Sequence, residues 1–597
     1  MKKNITVVEV SYEVANKVGG IYTVLVSKIS NMLENVQNYH AIGPYNIKDS
    51  APEFEHVKKP EKIRILHEMI EKKYGIKCYY GKWLVSEKPI ITLVDPSGFK
   101  EKLNNVKKSL WDEYGIDSLN ADSWFDEPVL WSKAVGVVLE EMIKARIFKN
   151  PVIHFHEWLT GAGMLHLKSR KTDVPTVFTT HSTVLGRAIA EVGREGLHEM
   201  IGRGIKEGKT IPDEKAYEYN VQAKHLMEKA CALNSGVFTT VSETAGKECM
   251  FILGKKPDII LSNGLDMEKF PSMEELSDMH ILYRDKIRRF IMSYFSPYYN
   301  IDVSNALFLL ISGRHEIRNK GIDVFIDSLG KLNEKLKRTK SKKPVIAFIW
   351  IPAHTMERRP TVMEHLALFE TMEENVETET EKMEERIIES FAKGKLPAQG
   401  KIFDEEFLDY MKKLRMELRK DKGSSPPLSP FVLEPENAII KMLEKNSLLN
   451  RVEDKVKVIY YPTYISPVDG LLNMKYYNAM IGCHVGVFPS YYESWGYTPL
   501  EAAALGLQSI TTDLSGFGKF IQHYIKAEEY SIVVIPREGK GYGEVVNSLT
   551  DTLFKICKMN RKQRFNCKMR AKNLSTLSDW SRLITNYLDA YDLALKR

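Results

Sequence analysis

The sequence has few cysteines, and their spacing does not suit a metal site. Only six occur in 597 residues, and no two of them form a Cys-x-x-Cys pair. Three, Cys231, Cys249 and Cys483, lie in or beside apolar segments. This usage is typical of buried thiols in a reducing compartment. It predicts neither a disulfide framework nor a bound metal.

Long hydrophobic runs are also missing. No apolar stretch approaches the roughly 18 residues that a membrane span needs. Residues 1–4 lead directly into the strand-like run Ile5–Val10, which is too short and too early for a signal peptide. The net charge of +7 is modest for this length and gives no reason to expect nucleic acid as a partner. We therefore expect a soluble, cytoplasmic protein that binds neither nucleic acid nor a membrane.

What the sequence does contain is an alternation of short β-branched runs with helical patterns. Several of the runs are continuously apolar, as parallel strands covered on both faces should be. This alternation predicts an α/β fold with right-handed crossovers, in two doubly wound domains that face a cleft. The predicted strands are Ile5–Val10, Tyr39–Gly43, Ile90–Val94, Val152–Phe155, Thr176–Thr180, Val237–Val241, Ile259–Leu261, Ala306–Ile311, Val345–Trp350, Val456–Tyr460, Val485–Phe488, Ser509–Thr512 and Ser531–Ile535.

The two predicted domains cover residues 1–285 and 286–577, joined by a helical stretch within Met273–Ser304. We expect the last helix, 578–597, to complete the first domain. Region 354–450 interrupts the second domain, because it shows no strand signal and is highly charged. Apolar positions at near-helical spacing in 368–391, followed by the run Glu405–Arg419, predict two long amphipathic helices there. They are either a solvated hairpin or an element of oligomerisation.

Two carboxylates mark the segment Phe488–Ala502. A buried strand precedes it and helix-forming residues end it, so that Glu493 lies on a loop at the carboxyl end of a strand and Glu501 at the start of a helix. In an open parallel sheet, ligands bind at this edge, and a helix start can also hold phosphate. Two solvated surface glutamates would be the simpler interpretation. The aromatic, Gly and Pro residues around them favour a sugar-nucleotide site.

Basic residues and a glycine pair follow other predicted strands. Gly19 and Gly20 form a strand-to-helix turn that lets the backbone approach a diphosphate. Arg314 and Lys320 could bridge a diphosphate, and His181 and Arg187 close a strand of the first domain. Taken singly, these are an ordinary turn, a basic loop and a structural histidine. Together they predict cations from both halves facing one cleft.

Seven segments of the sequence resemble glycogen synthases of the animal and fungal type. They are Glu13–Leu25, His154–Trp158, Thr179–Arg187, Ser262–Leu265, Asn319–Gly321, Pro489–Pro499 and Leu514–Gly518. The resemblance implies a GT-B glycosyltransferase that uses UDP-glucose as donor and glycogen as acceptor. It also implies retention at the anomeric carbon and no metal or other cofactor.

The same resemblance assigns roles to individual residues. It implies that Arg314 and Lys320 hold the diphosphate of the leaving group, that Tyr476 stacks on uracil, and that His181 and Arg187 face the glucose and its phosphate. The catalytic residues are thus predicted to be Glu493, Glu501, His181, Arg314 and Lys320. The predicted substrate-binding residues are Lys17, Gly19, Gly20, Arg187, Asn263, Tyr476, Tyr492, Trp495, Gly496, Tyr497 and Thr498.

A basic segment near the end of the chain resembles the arginine-rich helix through which this family senses glucose 6-phosphate. Its basic residues are Arg561, Lys562, Arg564, Lys568 and Arg570, with lysine in place of arginine at 562 and 568. From residues alone, a solvated basic helix is the default interpretation of the pattern. The resemblance further implies a homotetramer built through the insertion, and a glycogen-priming protein as a possible partner.

Two other functions stay open. One is a related GT-B enzyme with another donor, such as ADP-glucose, or another glucan as acceptor. The other is a catalytically silent glucan-binding subunit that keeps the fold. The joint presence of Arg314, Lys320, Glu493 and Glu501 argues against a silent subunit.

Overall fold

The computed structural model describes residues 2–46, 51–397, 402–526 and 529–597. The strands are β1 Lys3–Val10, β2 Val36–Pro44, β3 Phe54–His56, β4 Lys77–Trp83, β5 Ile90–Asp95, β6 Pro151–His156, β7 Thr176–Thr180, β8 Val237–Thr240, β9 Ile259–Ile260, β10 Leu307–Ser312, β11 Val345–Trp350, β12 Thr355–Arg358, β13 Phe431–Leu433, β14 Val456–Tyr460, β15 Val485–Val487, β16 Gln508–Thr512 and β17 Ile532–Ile535. Each predicted strand is present, with ends shifted by at most a few residues.

Helices follow or cover these strands on both faces. They are α1 Gly20–Asn35, α2 Glu61–Tyr74, α3 Leu103–Tyr114, α4 Ser123–Lys144, α5 Gly161–Ser169, α6 Val184–Val192, α7 Leu197–Glu207, α8 Glu214–Glu218, α9 Gln222–Asn234, α10 Glu243–Ile252, α11 Met273–Phe295, α12 Ile322–Arg338, α13 Pro360–Ala392, α14 Glu405–Leu418, α15 Ala438–Lys445, α16 Tyr476–Gly482, α17 Tyr497–Ala504, α18 Gly516–Ile521, α19 Tyr542–Lys558, α20 Arg561–Ser575 and α21 Trp580–Lys596. Among the described residues, no helix is long and apolar enough to cross a membrane.

The strands form two large sheets. The first has the order β3-β4-β5-β2-β1-β6-β7-β8-β9 and the second β14-β11-β10-β15-β16-β17. The second sheet is parallel throughout, and its first strand, β10, lies in the middle between β11 and β15. The strands that follow β10 in the chain are therefore added first on one side, as β11 and β14, and then on the other side, as β15, β16 and β17. That reversal leaves a crevice at the carboxyl ends of the central strands, where ligands bind in such sheets.

The first sheet follows the same plan with an antiparallel extension. β1 lies between β2 and β6, which places a second reversal of strand order there. β4 extends the sheet beyond β5 by antiparallel pairing, and β3 pairs antiparallel with β4. Neither strand is predicted from the sequence, because β3 is only three residues long and β4 includes two lysines and a glycine and forms no continuous apolar run.

Buried apolar strands explain why the two sheets form. Every residue of β10 and β11 is buried, as is every residue of β14. Such strands need helices on both faces to keep water away. In the second domain α12 and α19 cover one face, and α11 with α16 covers the other. The two cores on either side of this sheet fix the position of the loops that leave its carboxyl edge.

The last helix, α21, packs on the first sheet. Trp580, Tyr587 and Tyr591 are buried in the same apolar cluster as residues of β1, β2 and α1. The Trp580 indole nitrogen donates to the Ser27 hydroxyl at 2.7 Å, and Lys3 forms an ion pair with Asp592. The chain thus returns to its starting domain after completing the second.

The region 354–450 contains the two expected long helices and also a small sheet. Helices α13 and α14 pack against each other. The expectation that this region holds no strand is wrong, because β12 and β13 form an antiparallel pair within it. β12 is largely exposed and polar and β13 is three residues long, so neither produces an apolar run in the sequence.

Candidate active site

The predicted site residues lie in loops that leave the two reversals of strand order. In the first domain these loops follow β1 and β7, and in the second they follow β10 and β15, whereas Asn263 follows β9 and Tyr476 begins α16. Parallel strands bring their carboxyl ends to one edge of each sheet. Hydrogen bonds across the cleft hold the two edges together: the Tyr492 hydroxyl donates to Glu248 at 2.7 Å, and the Ser242 hydroxyl donates to the Ser494 carbonyl oxygen at 2.7 Å.

The loops after β10 and β15 are fixed to each other. The carbonyl oxygen of Asn319 accepts from the amides of Tyr491 at 2.9 Å and Tyr492 at 3.2 Å. Gly321, with φ of 69°, starts α12 so close to this loop that a Cβ atom would overlap the carbonyl oxygen of Pro489. Only glycine combines that backbone angle with that approach. The Asn-Lys-Gly turn therefore sets where Lys320 points.

Lys320 and Glu493 form an ion pair at the centre of the site. The ammonium of Lys320 contacts the carboxylate of Glu493, and the two side chains are 16% and 20% exposed. Glu493 is in turn held by its backbone, because its carbonyl oxygen accepts from the Gly516 amide at 3.0 Å. The pair keeps a positive charge at the edge of the second sheet without burying it completely.

The second carboxylate, Glu501, lies inside α17 and is buried. The Tyr477 hydroxyl donates to it at 2.7 Å. Burial raises the pKa of Glu501, against the opposing effects of that hydrogen bond and of the charge on Lys17 from the first domain. Gly496, with φ of 109°, turns the chain into α17 just before this residue. The two predicted glutamates thus have different surroundings, one paired with an ammonium and one with a phenol.

Tyr476 and Tyr477 take different positions at the start of α16. Tyr476 points to the end of β10, where its hydroxyl shares a hydrogen bond of 2.7 Å with Ser312, and its ring meets the edge of Trp350. Tyr477 is the one that reaches Glu501 and is 38% exposed. Tyr476 is a predicted site residue and Tyr477 is not, since adjacent tyrosines in a sequence give no sign of which one faces a cleft.

The glycine turn after β1 already binds a carboxylate of its own chain. Glu13 accepts hydrogen bonds from the amides of Gly19 and Tyr22, both at 2.8 Å. Burial raises the pKa of Glu13, while these amides and the charge of Arg314 oppose the rise. Apart from its chain neighbours and the backbone of its own helix, no atom of the described residues lies within 4 Å of the Cβ position at Gly20. Open space for a ligand therefore remains beside Gly20, whereas Glu13 takes the Gly19 amide.

Arg314 and Arg187 approach the cleft from opposite domains. Arg314 is 56% exposed and pairs with Glu316 at 3.1 Å. Arg187 donates to the Ser182 hydroxyl at 3.2 Å. Burial opposes the charge on Arg187, but the anionic neighbours Glu316, Glu157 and Glu493 together with Tyr492 raise its pKa. Arg187 therefore presents a charged guanidinium to an anionic ligand, and the exposed Arg314 side chain lies on the other side of the cleft.

His181 ends β7 and is held from two sides by the end of β6. Its ring Nε2 lies 3.0 Å from Nδ1 of His156, and its backbone amide donates to the Glu157 carboxylate at 2.8 Å. Burial lowers the pKa of His181 well below its ordinary value, so the imidazole is neutral. Glu157 has φ of 66° and ψ of 164°, a backbone region that is essentially restricted to glycine and therefore strained.

The remaining predicted binding residues line or support the same loops. Trp495 is buried between Phe517 and Phe520, and the Tyr497 hydroxyl donates to the Gly264 carbonyl oxygen at 3.3 Å. Asn263 is buried, and its side-chain oxygen has no partner in the described part of the chain. Thr498 is half-buried at the start of α17. Trp495 and Tyr497 thus fix the loop, while Asn263 keeps an acceptor free.

The basic residues of α20 do not act as one group. Lys568 is buried and Arg564 half-buried on the side facing α11, where they meet His280 and Arg284. Arg561 and Lys562 are exposed, and Arg570 pairs with Glu529 at 3.3 Å. His280, Arg284 and Arg288 are not among the predicted site residues, although their spacing of four residues places them on one face of α11.

This cluster of cations has an excess of positive charge. No carboxylate lies within ion-pair distance of Lys568 or Arg284 in the residues that the structure describes. Burial and the neighbouring cations lower the pKa of Arg284 to about 10, that of His280 to about 3, and that of Lys568 well below its ordinary value. An anion bound there would relieve this repulsion.

The chain is similar to known proteins over nearly its whole length. A family model described as glycogen synthase matches residues 9–597. The chain is 35% identical to a glycogen [starch] synthase of Dictyostelium discoideum, 33% to the liver glycogen [starch] synthase of Mus musculus, and 34% to glycogen [starch] synthase isoform 2 of Saccharomyces cerevisiae. Each alignment covers 99% of this chain, and it spans 66%, 83% and 86% of the respective relative.

Solved structures share the fold at much lower identity. The catalytic domain of starch synthase IV from Arabidopsis thaliana, bound to ADP and acarbose, superposes with a TM-score of 0.54 at 13% identity, with 100% of both chains covered. A trehalose-phosphate synthase from Burkholderia xenovorans, in complex with glucose-6-phosphate, gives a TM-score of 0.50 at 7% identity, covering 98% of this chain and 100% of that one. These likenesses confirm the predicted GT-B architecture.

Proposed function

Since the chain belongs to the glycogen synthase family, we propose that it transfers glucose from UDP-glucose to the non-reducing ends of glycogen. The new bonds are α-1,4 linkages formed with retention of configuration. The observation that carries the proposal is the ion pair of Lys320 with Glu493, at the strand edge where the cations of both domains converge. A neutral-ligand site would not need that concentration of charge.

The cations suit a diphosphate leaving group. Negative charge grows on UDP as the bond to the sugar breaks, and fixed positive groups stabilise that charge in the transition state. Lys320 and Arg314 supply positive charge from the second domain, and Arg187 supplies it from the first. Arginine can grip a phosphate with two parallel hydrogen bonds, whereas lysine acts as a point charge.

Retention is best served by attack from the face that UDP leaves. In this route the departing phosphate oxygen takes the proton of the acceptor hydroxyl. The alternative is a covalent glucosyl intermediate on Glu493, as in retaining hydrolases. The ammonium of Lys320 on the Glu493 carboxylate lowers its nucleophilicity and supports the first route. Glu501, buried beside Tyr477, then serves to bind the donor.

Glucose 6-phosphate is the proposed effector, bound at the basic cluster of α20 and α11. Lys568, Arg564 and Arg284 lie close together with no carboxylate to balance their charge among the described residues, and His280 adds a neutral imidazole. Guanidinium groups bind phosphate through charge-assisted and often paired hydrogen bonds, which suits the phosphate of this effector. The proposal predicts a smaller role for Arg561 and Lys562, which are exposed.

We also propose an oligomeric state, a protein partner and a cellular location. Helices α13 and α14 carry exposed apolar side chains, including Ile388, Phe391 and Met416, which supports a homotetramer built through them. A glycogen-priming protein is a possible partner for starting new chains. The cysteines are free thiols, five of them buried, which supports a cytoplasmic enzyme.

The test is transfer of labelled glucose to glycogen from UDP-glucose or ADP-glucose, each with and without glucose 6-phosphate. We expect transfer from UDP-glucose that is lost in the Lys320→Ala and Glu501→Ala variants, raised by glucose 6-phosphate, and unchanged by EDTA, because no metal is proposed. Transfer from ADP-glucose alone would move the protein to the related-enzyme alternative. No transfer from either donor would leave the silent glucan-binding subunit.

A further inference from the structure

A buried chain of polar groups runs from the core of the first domain to His181. Building on the proposed function, we propose that Glu9 and His156 are positioning residues that keep the ring proton of His181 on Nε2. Its Nδ1 is then left to accept a hydrogen bond from a hydroxyl of the donor sugar. Glu9 lies inside β1 and His156 at the end of β6, below the loops that line the cleft.

The chain is continuous at hydrogen-bond distance. Glu9 on β1 lies 3.3 Å from Nε2 of His156, and Nδ1 of His156 lies 3.0 Å from Nε2 of His181. All three side chains are buried. Nδ1 of His181 makes no hydrogen bond to the described residues, yet it is not among the atoms sealed from solvent. The free end of the chain therefore opens toward the cleft at the end of β7.

The charge on Glu9 fixes the direction of every bond in this chain. Burial opposes ionisation of Glu9, but the ammonium of Lys28 and the two neighbouring histidines hold its pKa well below the ordinary value. The Tyr39 hydroxyl also donates to this carboxylate, at 2.5 Å. A carboxylate in this state can only accept hydrogen bonds. His156 must therefore present an N–H to it from Nε2.

Because both histidines are neutral, the direction of the hydrogen bond to Glu9 also fixes the direction of the hydrogen bond between His156 and His181. Burial lowers the pKa of His156 to about 3, so its ring has one proton, which Nε2 uses toward Glu9. Nδ1 of His156 is then an acceptor, and Nε2 of His181 must be the donor. His181 is neutral too, which leaves Nδ1 without a proton. The reverse arrangement would set a lone pair of His156 against the carboxylate.

The neighbouring His154 is a natural control. It shares the Glu9 carboxylate, at 3.4 Å, and its ring stacks on His156 with centroids 4.2 Å apart. Its remaining contacts go to Tyr591 at 3.1 Å and Thr179 at 2.7 Å, not to His181. The ligand atoms of Glu9, His154 and His156 lie within 4.8 Å of one another, but the ammonium of Lys28 already sits on this carboxylate. The cluster is thus an ion pair with two histidines, only one of which leads to the cleft.

Steady-state kinetics of His156→Ala, His156→Asn and His154→Ala with UDP-glucose test the inference. We expect His156→Ala to lower kcat/KM about tenfold or more, since the His181 proton loses its partner and its position. His156→Asn should recover most of this loss, because the amide oxygen can stand where Nδ1 stood. His154→Ala should lower Tm as His156→Ala does but leave kcat/KM close to that of the wild type.

Donors with single hydroxyls removed provide the second readout. For the deoxyglucose donor that lacks the hydroxyl bound by His181, the difference between wild type and His156→Ala should disappear. If His156→Ala does not fold, His156→Gln replaces it, because that amide reaches the Glu9 side but offers His181 no acceptor. Equal losses in the His154 and His156 variants, or an equal loss with every deoxy donor, would overturn the proposal. An inactive wild type would instead overturn the proposed function itself.

Discussion

Several charged side chains of the cleft have defined partners within the protein. Lys320 pairs with Glu493, Glu501 accepts from Tyr477, and Glu13 accepts from the amides of the glycine turn. Partly buried pairs of this kind keep their geometry better than exposed ones, which gain little from pairing. The substrate therefore meets a site whose electrostatics are arranged before it binds.

Lys320→Ala should lower kcat about 10²- to 10³-fold, because a fixed charge that stabilises the leaving group is lost. Lys335→Ala is the matched control, since Lys335 lies on the following helix α12 and pairs with Asp551 at 2.6 Å outside the cleft. Initial rates of glucose transfer at saturating donor measure both variants. A Lys320→Ala enzyme with the kcat of the wild type would rule out this role for Lys320.

Tyr477→Phe should weaken donor binding and shift the pH dependence. Glu501 would lose the hydrogen bond that favours its ionised form, so its raised pKa should rise further. The acid limb of kcat/KM against pH should move to higher pH, with a loss of about tenfold near neutrality. Tyr464→Phe, at a tyrosine that is 80% exposed, is the control. An unmoved acid limb would show that Tyr477 does not act on Glu501.

Glu157→Gln should change how stability depends on pH. Burial raises the pKa of Glu157 from 4.5 to about 7, despite the amides of His181 and Ser182. Between pH 4.5 and about 7 the folded protein keeps the proton of Glu157 while the unfolded chain loses it. The protonated group therefore contributes its full stability below pH 4.5, and this contribution is lost as the pH rises through about 7. The glutamine variant keeps the acceptor oxygen without the ionisation. Its Tm relative to the wild type should therefore be higher at pH about 8 than at pH about 5.

The control for this measurement is Glu34→Gln, at an exposed glutamate of α1. The Tm difference between that variant and the wild type should be the same at both pH values. If Glu157→Gln behaved in the same way, ionisation of Glu157 would not be coupled to folding.

At the scale of whole elements, α20 carries both buried and exposed basic residues. It meets α11 through Lys568, which is buried, whereas Lys562 on the same helix is exposed. A buried ammonium without a carboxylate destabilises the fold unless an anion joins it. If the proposed effector binds at this cluster, its binding is coupled to stability.

Lys568→Met should raise Tm by about 1–3 °C and abolish activation by glucose 6-phosphate. Methionine fills a similar volume without the charge, so the repulsion from Arg284 is removed together with the anion site. Thermal unfolding and transfer assays with and without the effector measure the two effects. Lys562→Met on the exposed face should change neither. Full activation in the Lys568→Met enzyme would place the effector elsewhere.

At the scale of the molecule, the two domains repeat one plan and meet at their functional edges. In both sheets the strand order reverses beside the first strand, and the loops from the reversals face each other. The domains are joined near the cleft by Tyr492 with Glu248, by Ser242 with Ser494 and by Arg318 with the Gly193 carbonyl oxygen at 2.9 Å. Opening of the cleft would break these bonds, so we expect substrate access to require movement of one domain relative to the other.

The double variant Ile388→Glu/Phe391→Glu should reduce the size of the assembly in solution. Both side chains are more than half exposed on α13, and their apolar surface favours burial against another copy. Light scattering after size exclusion measures the mass. Val468→Glu, at an apolar residue that is 84% exposed outside the two insertion helices, is the control. An unchanged mass in the double variant would exclude this surface from the interface.

Much of the fold was readable in the sequence because buried parallel strands have a simple signature. Runs such as Val345–Trp350 are apolar on both faces, so β11 has the same bounds in the prediction and in the structure. β4, β12 and β13 were not readable, because edge or very short strands depend on pairing rather than on their own hydrophobicity.

The sequence by itself determined the residue types of the site and their position after particular strands. Glu493, Lys320 and His181 follow β15, β10 and β7, as their apolar neighbours predicted. Only the tertiary structure decided which side chains touch: Tyr477 rather than Tyr476 reaches Glu501, Glu13 takes the Gly19 amide, and His156 meets His181. Hydrophobic patterning fixes which segments form strands, but contacts between residues far apart in the chain depend on how the strands are ordered in each sheet.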